Sequence, residues 1–301
     1  MDTYYIRHTE KLDINDVTWQ RLWNERRIAI HFPHGLDGEL PRRDNASLDL
    51  SDYHPQKGRP AMRAMTELAK TGGYVCAEYF GHPQCLLGYV RAASKVDLIE
   101  GGWGSENGYE GRKAILKSLR LQRARTVNPC DSAAILLSRP RQGTIMRWRA
   151  ARNTIENIVE GRRVGASLDQ LSDGQQEIMC SEFLRSARAR QFDLPNLAHL
   201  VVPVGRTMRD IDICGMDGRG NLIFAQVSYL QFENCTEKLN SLGQYGGKGN
   251  TLVLFCNCGE PTQVQGVRVI PLSVVYDSFA STPTGKSWIE KATNPIRRHS
   301  N

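Results

Sequence analysis

Two aspartates one residue apart, Asp210 and Asp212, stand in the run Arg209-Asp210-Ile211-Asp212-Ile213-Cys214-Gly215. After the segment Asp217-Gly218-Arg219-Gly220-Asn221 the chain returns through Leu222-Ile223-Phe224-Ala225-Gln226-Val227-Ser228-Tyr229. Both arms are short and rich in β-branched and aromatic residues, and the glycines between them signal a reversal, so the pair reads as a β-hairpin. Side chains at i and i+2 share one face of a strand. Asp disfavours strands and is costly to bury, so two carboxylates on such a face demand a cation or several donors. A divalent metal is the most economical candidate, and a metal so held polarises oxygens and acidifies bound water.

The elements that must hold this hairpin lie on either side of it. Ser172-Asp173-Gly174-Gln175 has capping-box spacing and opens a helix running to about Arg190. A strand at 197–204 precedes the hairpin, and a helix around 236–242 and a strand at 251–255 follow it, with another short strand at 267–270. The order after residue 170 is therefore α-β-β-β-α-β. Upstream, an amphipathic helix around Trp19, Leu22 and Trp23 leads into a strand at 27–32. Residues 33–60 are dense in Gly, Pro, Asp and His and read as a surface loop or a functional lid. A helix at 61–70, strands at 74–80 and 85–91, a strand at 133–137 and a long helix ending near Gly161 or Gly165 complete the first half. The stretch between about Trp148 and Asp169 reads as a joint, dividing the chain into a domain over 1–150, a connecting helix and linker over 151–168, and a domain over 169–301.

Composition sets the frame. With 301 residues, 40% hydrophobic and 24% charged, the chain can bury two cores of ordinary size. Apolar runs such as Leu252-Val253-Leu254-Phe255 are too short to cross a bilayer and the start lacks a signal segment, so no membrane is expected and the cytoplasm is the expected compartment. The eight cysteines are scattered among apolar residues and read as reduced core thiols, and Cys256-Asn257-Cys258 is too closely spaced for a standard zinc site. A net charge of +7 favours polyanionic partners. Arg185, Arg188 and Arg190 form one of several basic clusters suited to phosphate binding.

The second half resembles the PD-(D/E)xK nuclease superfamily, the restriction-endonuclease-like fold, over roughly residues 168–276. The resemblance implies an α/β (α+β) fold with a mixed sheet flanked by helices, and a metal-dependent DNA endonuclease acting in restriction or defence against foreign or modified DNA. On that pattern Asp212 takes the position of the metal-binding Asp, and Gln226 that of the first residue of a Gln-x-Lys tripeptide. Asp210 becomes a second ligand or an outer group, and Glu177, on the stripe with Cys180 and Leu184, the acid of the opening helix. Oxygen ligands of this kind suit Mg²⁺ or Mn²⁺. Ser228 departs from the pattern where Lys is expected, and a hydroxyl cannot replace an ammonium beside an attacking hydroxide. Lys238 in the following helix is the expected substitute, with Lys248 in the Gly-rich loop the weaker one.

The first half resembles PUA-like or EVE-like β-barrels, which implies a sensor of nucleic acid or modified bases. Trp19, Trp23, Trp103 and Trp148 are the aromatic residues that could wall a flipped base, with Trp103 among glycines the best placed for exposure. DNA, modified or not, is then the expected partner, and a homodimer or a partner ATPase or sensor subunit is compatible with the pattern. Two rival readings follow from Ser228 and from the PUA-like resemblance: an inactive nuclease fold that only binds nucleic acid, and an RNA-directed nuclease.

Overall fold

The computed structural model describes residues 1–32, 46–105, 110–129, 135–136, 139–140, 143–201 and 210–294. The chain divides into two compact units, Met1–Val164 with Asn294–Asn301, and Gly165–Thr293.

The first unit is built from β1 (Thr3–His8), α1 (Asp16–Asn24), β2 (Arg27–Ile30), α2 (Arg59–Thr71), β3 (Gly73–Tyr79), β4 (Cys85–Val90), β5 (Asp97–Gly102), β6 (Lys113–Arg120), β7 (Gln122–Val127), β8 (Ile145–Arg147) and α3 (Arg152–Glu160). Its strands make a five-stranded sheet in the order β7-β4-β3-β1-β8, in which β1 and β3 are parallel, and a three-stranded antiparallel sheet in the order β2-β6-β5. Among the described residues no barrel closes, so the expected PUA-like barrel is corrected to two open sheets. The reason is visible in the packing. Residues such as Met62, Met65 and Leu68 of α2 are buried with Ile28 and Ile30 of β2 and Val75 of β3, giving helix-on-sheet layers.

The expected joint is also corrected. The α3 residues Ile155, Ile158 and Val159 are buried with Tyr5, Cys76, Leu87 and Trp148, so this helix is part of the first unit's core. The expected strand at 133–137 falls mostly outside the described residues, and its described pair, Ile135 and Leu136, is helical. Of the loop expected at 33–60, residues 33–45 lie outside the described residues and α2 begins at Arg59.

The second unit runs α4 (Asp173–Arg185), β9 (Leu197–Leu200), β10 (Ile213–Asp217), β11 (Leu222–Gln231), α5 (Thr236–Gly243), β12 (Thr251–Asn257), β13 (Thr262–Val264), β14 (Val267–Pro271), α6 (Leu272–Ala280) and α7 (Pro283–Thr293). The six strands form one mixed sheet in the order β13-β14-β12-β11-β10-β9, with β11, β12 and β14 mutually parallel and the flanking pairs antiparallel. Helices cover both faces. On one, Met179, Phe183 and Leu184 of α4 are buried with Ile213, Ile223, Ala225, Val253 and Phe255; on the other, Leu239 and Leu242 of α5 are buried with Cys214, Phe224, Leu252 and Leu254. The period of two along β11 and β12 makes both faces apolar, as a central parallel strand requires. The start of α4 follows from its cap, where Gln175 Oε1 accepts a hydrogen bond from Ser172 N at 2.8 Å. The helix ends at Arg185 and gives way to a 3₁₀ segment, Ala187–Phe192, so it stops short of the expected Arg190.

Candidate active site

The hairpin forms as its sequence requires. Asp217 Oδ1 accepts from Arg219 N at 2.8 Å and from Asn221 N at 2.9 Å, and Gly220 takes a φ of +85°, a left-handed conformation that glycine adopts without strain. Gly215 has a different reason: a Cβ there would stand 2.5 Å from His199 O and 2.2 Å from Leu197 Cδ1, so β9 can lie this close only to a glycine.

The two aspartates do not sit inside the strand. Strand β10 begins at Ile213, Asp210 is in a turn, and Ile211 packs on the α5 side while Ile213 packs on the α4 side. The shared-face argument for Asp210 and Asp212 therefore fails, because the backbone rotates between Ile211 and Ile213 instead of alternating regularly. Each aspartate contributes differently. Asp212 N donates to Ala225 O at 3.0 Å, and its carboxylate Oδ2 accepts from Val227 N at 2.8 Å. Past that point β11 is paired with β12 alone, so Asp212 stands in a fork where β10 has parted from β11. Asp210 contributes its backbone: its carbonyl accepts from Gln226 Nε2, while its side chain is exposed.

Gln226 is 3% exposed, and its Oε1 is buried with no hydrogen-bond partner. Its Nε2 donates to Asp210 O, and alternation from Phe224 puts the side chain on the α5 face of β11. An orphaned carbonyl oxygen of this kind costs free energy unless something satisfies it. Asp212 Oδ1, which accepts no hydrogen bond among the described residues, is a second hard oxygen, at the end of the β10–β11 pairing.

Strand alternation then separates the remaining groups. Ser228 follows Gln226 on the α5 face, is 3% exposed, and accepts from Leu230 N at 3.3 Å with Cys235 Sγ 3.9 Å from its hydroxyl. Lys238 is one helical turn beyond Cys235 and half-buried, and Lys248 is exposed on the loop after α5. On the α4 face, Tyr229 faces the charges of Asp173, Glu177 and Asp212. Burial first, then Asp173, pushes the Tyr229 phenol well above its usual range, and the other two carboxylates add to the rise. Cys180 feels Glu177 and Asp212 as well, although burial is the main reason its thiol is raised. Glu177 is half-buried as its stripe with Cys180 predicts, while Glu182 points away and pairs with Arg185 at 3.7 Å.

The structure thus brings the charges of Asp212, Asp173 and Glu177 together around Tyr229 on the α4 face, while Gln226 lies on the α5 face with its amide on Asp210 O. The carboxylates of Asp212 and Glu177 on the α4 side are hard oxygen donors of the kind that suits a divalent cation, and Gln226 Oε1 is a further unpartnered oxygen on the α5 side. Among the described residues no three of His, Cys, Asp and Glu form a ready-made cation cage.

The expected phosphate cluster is corrected. Arg188 Nη1 donates to Ser278 O at 2.6 Å and to Ser281 Oγ at 2.5 Å, Arg190 Nε donates to Asn196 Oδ1, and Arg185 is paired with Glu182. Arg188 ties the 3₁₀ segment to α6, Arg190 ties it to the chain ahead of β9, and Arg185 pairs within α4. Trp103 is corrected too: it is 3% exposed and meets the His31 ring edge-on at 4.7 Å, because its glycine neighbours admit α1, with Thr18 and Asn15 filling the space at Gly101 and Gly102. Trp19 and Trp148 are buried as well, whereas Trp23 stacks on His82 at 4.3 Å. In place of a tryptophan wall the first unit has a cavity of about 350 Å³ lined by Arg7, Glu78, Phe80, His82 and Gln84. Glu78 is clamped in it, accepting from Tyr5 and pairing with Arg139 Nη1 at 2.6 Å. The described cysteines are all free thiols, six of them buried; Cys130 lies outside the described residues.

Asp173 and Tyr229 carry no motif signal in the sequence. The capping role of Ser172 and the two-residue period of β11 are the cues that place them beside Glu177.

No protein-family model matches the chain, and no curated protein matches it. Among solved structures it is similar to the MspJI restriction endonuclease in complex with a 27-mer oligonucleotide, at 12% identity and a TM-score of 0.29, over 98% of this chain and 80% of that one. A likeness that faint decides neither fold nor function, which leaves the geometry of the site to speak for itself.

Proposed function

We propose that the second unit is a metal-dependent phosphodiesterase acting on DNA. The observation that carries this reading is the Asp212 carboxylate at the opened edge of β11, where its charge and those of Asp173 and Glu177 meet at Tyr229. Asp212 and Glu177 would hold Mg²⁺ or Mn²⁺ from the α4 side, with the unpartnered Gln226 Oε1 as the further oxygen that the Gln-x-Lys pattern would supply. The cation, when bound, polarises the phosphoryl oxygen and acidifies water. In the reaction the water oxygen bonds to phosphorus, the bond from phosphorus to the departing sugar oxygen breaks, and that oxygen takes up a proton. Lys238 is the ammonium assigned to the charge that Ser228 cannot supply, approaching from the α5 side. The net charge of +7 is consistent with a polyanionic substrate.

The first unit is assigned the sensing role. Phe80, 51% exposed, and the Trp23–His82 stack supply aromatic surface around its cavity, and Glu78 and Gln84 supply polar groups for a base edge.

A second reading rests on Ser228. Its hydroxyl is enclosed by Leu230 and Cys235, so the strand position that should present a lysine is sealed, and the unit would then bind nucleic acid without cutting it. Nicking of supercoiled plasmid in Mg²⁺ or Mn²⁺ by the full chain separates the readings. Cleavage by wild type that vanishes in Asp212→Asn supports the phosphodiesterase. Binding without cleavage by both proteins establishes the binding module, and cleavage of RNA alone redirects the substrate.

A further inference from the structure

Tyr229 stands where the α4 side of the fork opens to solvent. It follows Ser228 on β11 and alternation turns it to the opposite face, the one on which Ile223, Ala225 and Val227 pack beneath α4. Its position relative to the carboxylates follows from the backbone. Asp212 is bound to Val227 N at 2.8 Å, Tyr229 is the next residue along that face, and Asp173 and Glu177 are one turn apart on the helix above it. The residue lies among the charges of Asp173, Glu177 and Asp212, and 44% of it remains accessible. A substrate entering the fork would therefore meet this hydroxyl.

We propose that the Tyr229 hydroxyl is a catalytic hydrogen-bond donor of this site, contacting a non-bridging oxygen of the scissile phosphate beside Asp212 and Glu177. The inference rests on the phosphodiesterase reading and deepens it. Charge accumulates on the phosphoryl oxygens as water attacks, and a donor already aimed at them stabilises the transition state more than the ground state. An ammonium placed among Asp173, Glu177 and Asp212 would pair with those carboxylates and compete with a metal for them. A neutral phenol donates one hydrogen bond and leaves their charge available. Ser228 is sealed on the other face, so Tyr229 is the β11 side chain nearest the missing lysine that can touch substrate.

The test uses the full-length chain as wild type, Tyr229→Phe and Asp212→Asn. The first measurement involves no turnover: terbium is added as a luminescent stand-in for the divalent metal and excited through tyrosine. Sensitised emission is expected in wild type, a large loss of it in Tyr229→Phe with terbium binding by calorimetry retained, and neither binding nor emission in Asp212→Asn. Undiminished emission in Tyr229→Phe places the phenol away from the metal and overturns the inference. The second measurement is single-turnover DNA cleavage in Mg²⁺, with DNA affinity in non-cleaving Ca²⁺ alongside. Tyr229→Phe is expected to slow cleavage about 100-fold, the scale for losing one preorganised donor, with affinity and Tm unchanged. Equal cleavage by wild type and Tyr229→Phe makes Tyr229 a packing residue and leaves the phosphodiesterase reading standing. Absence of cleavage by wild type with every divalent metal, on DNA and RNA, overturns both.

Discussion

Asp212→Asn separates chemistry from folding because the structure divides the work of its two oxygens. Oδ2 accepts from Val227 N at 2.8 Å and secures the edge of β11; Oδ1 accepts nothing among the described residues and is the atom assigned to the metal. Asparagine keeps one carbonyl oxygen, which can still accept from Val227 N while its amide nitrogen takes the metal-side position. What the hinge of the fork loses is the charge assistance of a single exposed hydrogen bond. Charge-assisted bonds are roughly twice as strong as neutral ones, and a typical neutral bond contributes about 1 kcal/mol net. The destabilisation is therefore expected to be at most about 1 kcal/mol, a fall in Tm of about 2–4 °C for a unit of this size. Cleavage, by contrast, should disappear, since an amide nitrogen cannot ligate a cation. Differential scanning calorimetry, plasmid nicking in Mg²⁺ and DNA binding in Ca²⁺ measure the three quantities on the same protein. Loss of the cooperative transition in the second unit would make Asp212 a structural residue, and undiminished nicking would remove it from the metal site; either result refutes the division of labour between Oδ1 and Oδ2.

Other perturbations follow from the same geometry. Lys238→Ala should abolish cleavage with metal binding intact, and equal cutting by the variant would exclude this lysine. Ser228→Lys should lower Tm and fail to restore activity, because overfilling the buried space under Cys235 costs about 1–3 kcal/mol; a stable, faster enzyme would show that this space opens. Arg188→Ala should destabilise the second unit by about 1–3 kcal/mol by removing its charged hydrogen bonds to Ser278 and Ser281, while DNA affinity changes little; weakened DNA binding at unchanged Tm would return Arg188 to the phosphate-binding role. His8 donates from Nδ1 to Glu78 O at 2.8 Å and accepts from Ala29 N through Nε2 at 3.1 Å, and burial lowers its pKa from 6.5 to about 4. Its contribution is complete above pH 6.5 and is lost as pH falls towards 4, about 3 kcal/mol in all, since protonated Nε2 can no longer accept. Thermal melts across that range should therefore be steeper for wild type than for His8→Gln, and equal slopes would discount the histidine.

Much of the second unit was legible in the chain itself because its signals are local. The Asp-Gly-Arg-Gly-Asn reversal specifies its own hydrogen bonds, the Ser172–Gln175 spacing caps α4, and Glu177 shares a stripe with Cys180, so hairpin, helix and one acid could be placed without knowing what packs on what. The strand order of the sheet is a non-local matter, but the apolar runs of β11, β12 and β14 already demanded burial on both faces. The choices left to tertiary structure were those that depend on a neighbour distant in sequence. Whether Trp103 is exposed is decided by α1 packing against Gly101 and Gly102; whether Arg188 is available for phosphate is decided by Ser278 and Ser281 on a helix far along the chain. The same holds at the site. Asp210 and Asp212 look equivalent in sequence, yet the turn before β10 gives one a backbone role and the other a carboxylate in the fork, and only the pairing of β11 with β12 beyond Ala225 leaves that fork open. Spacing along a chain determines which side chains share an element, while the ending of a strand pair, set by packing from both faces, determines which of them meet.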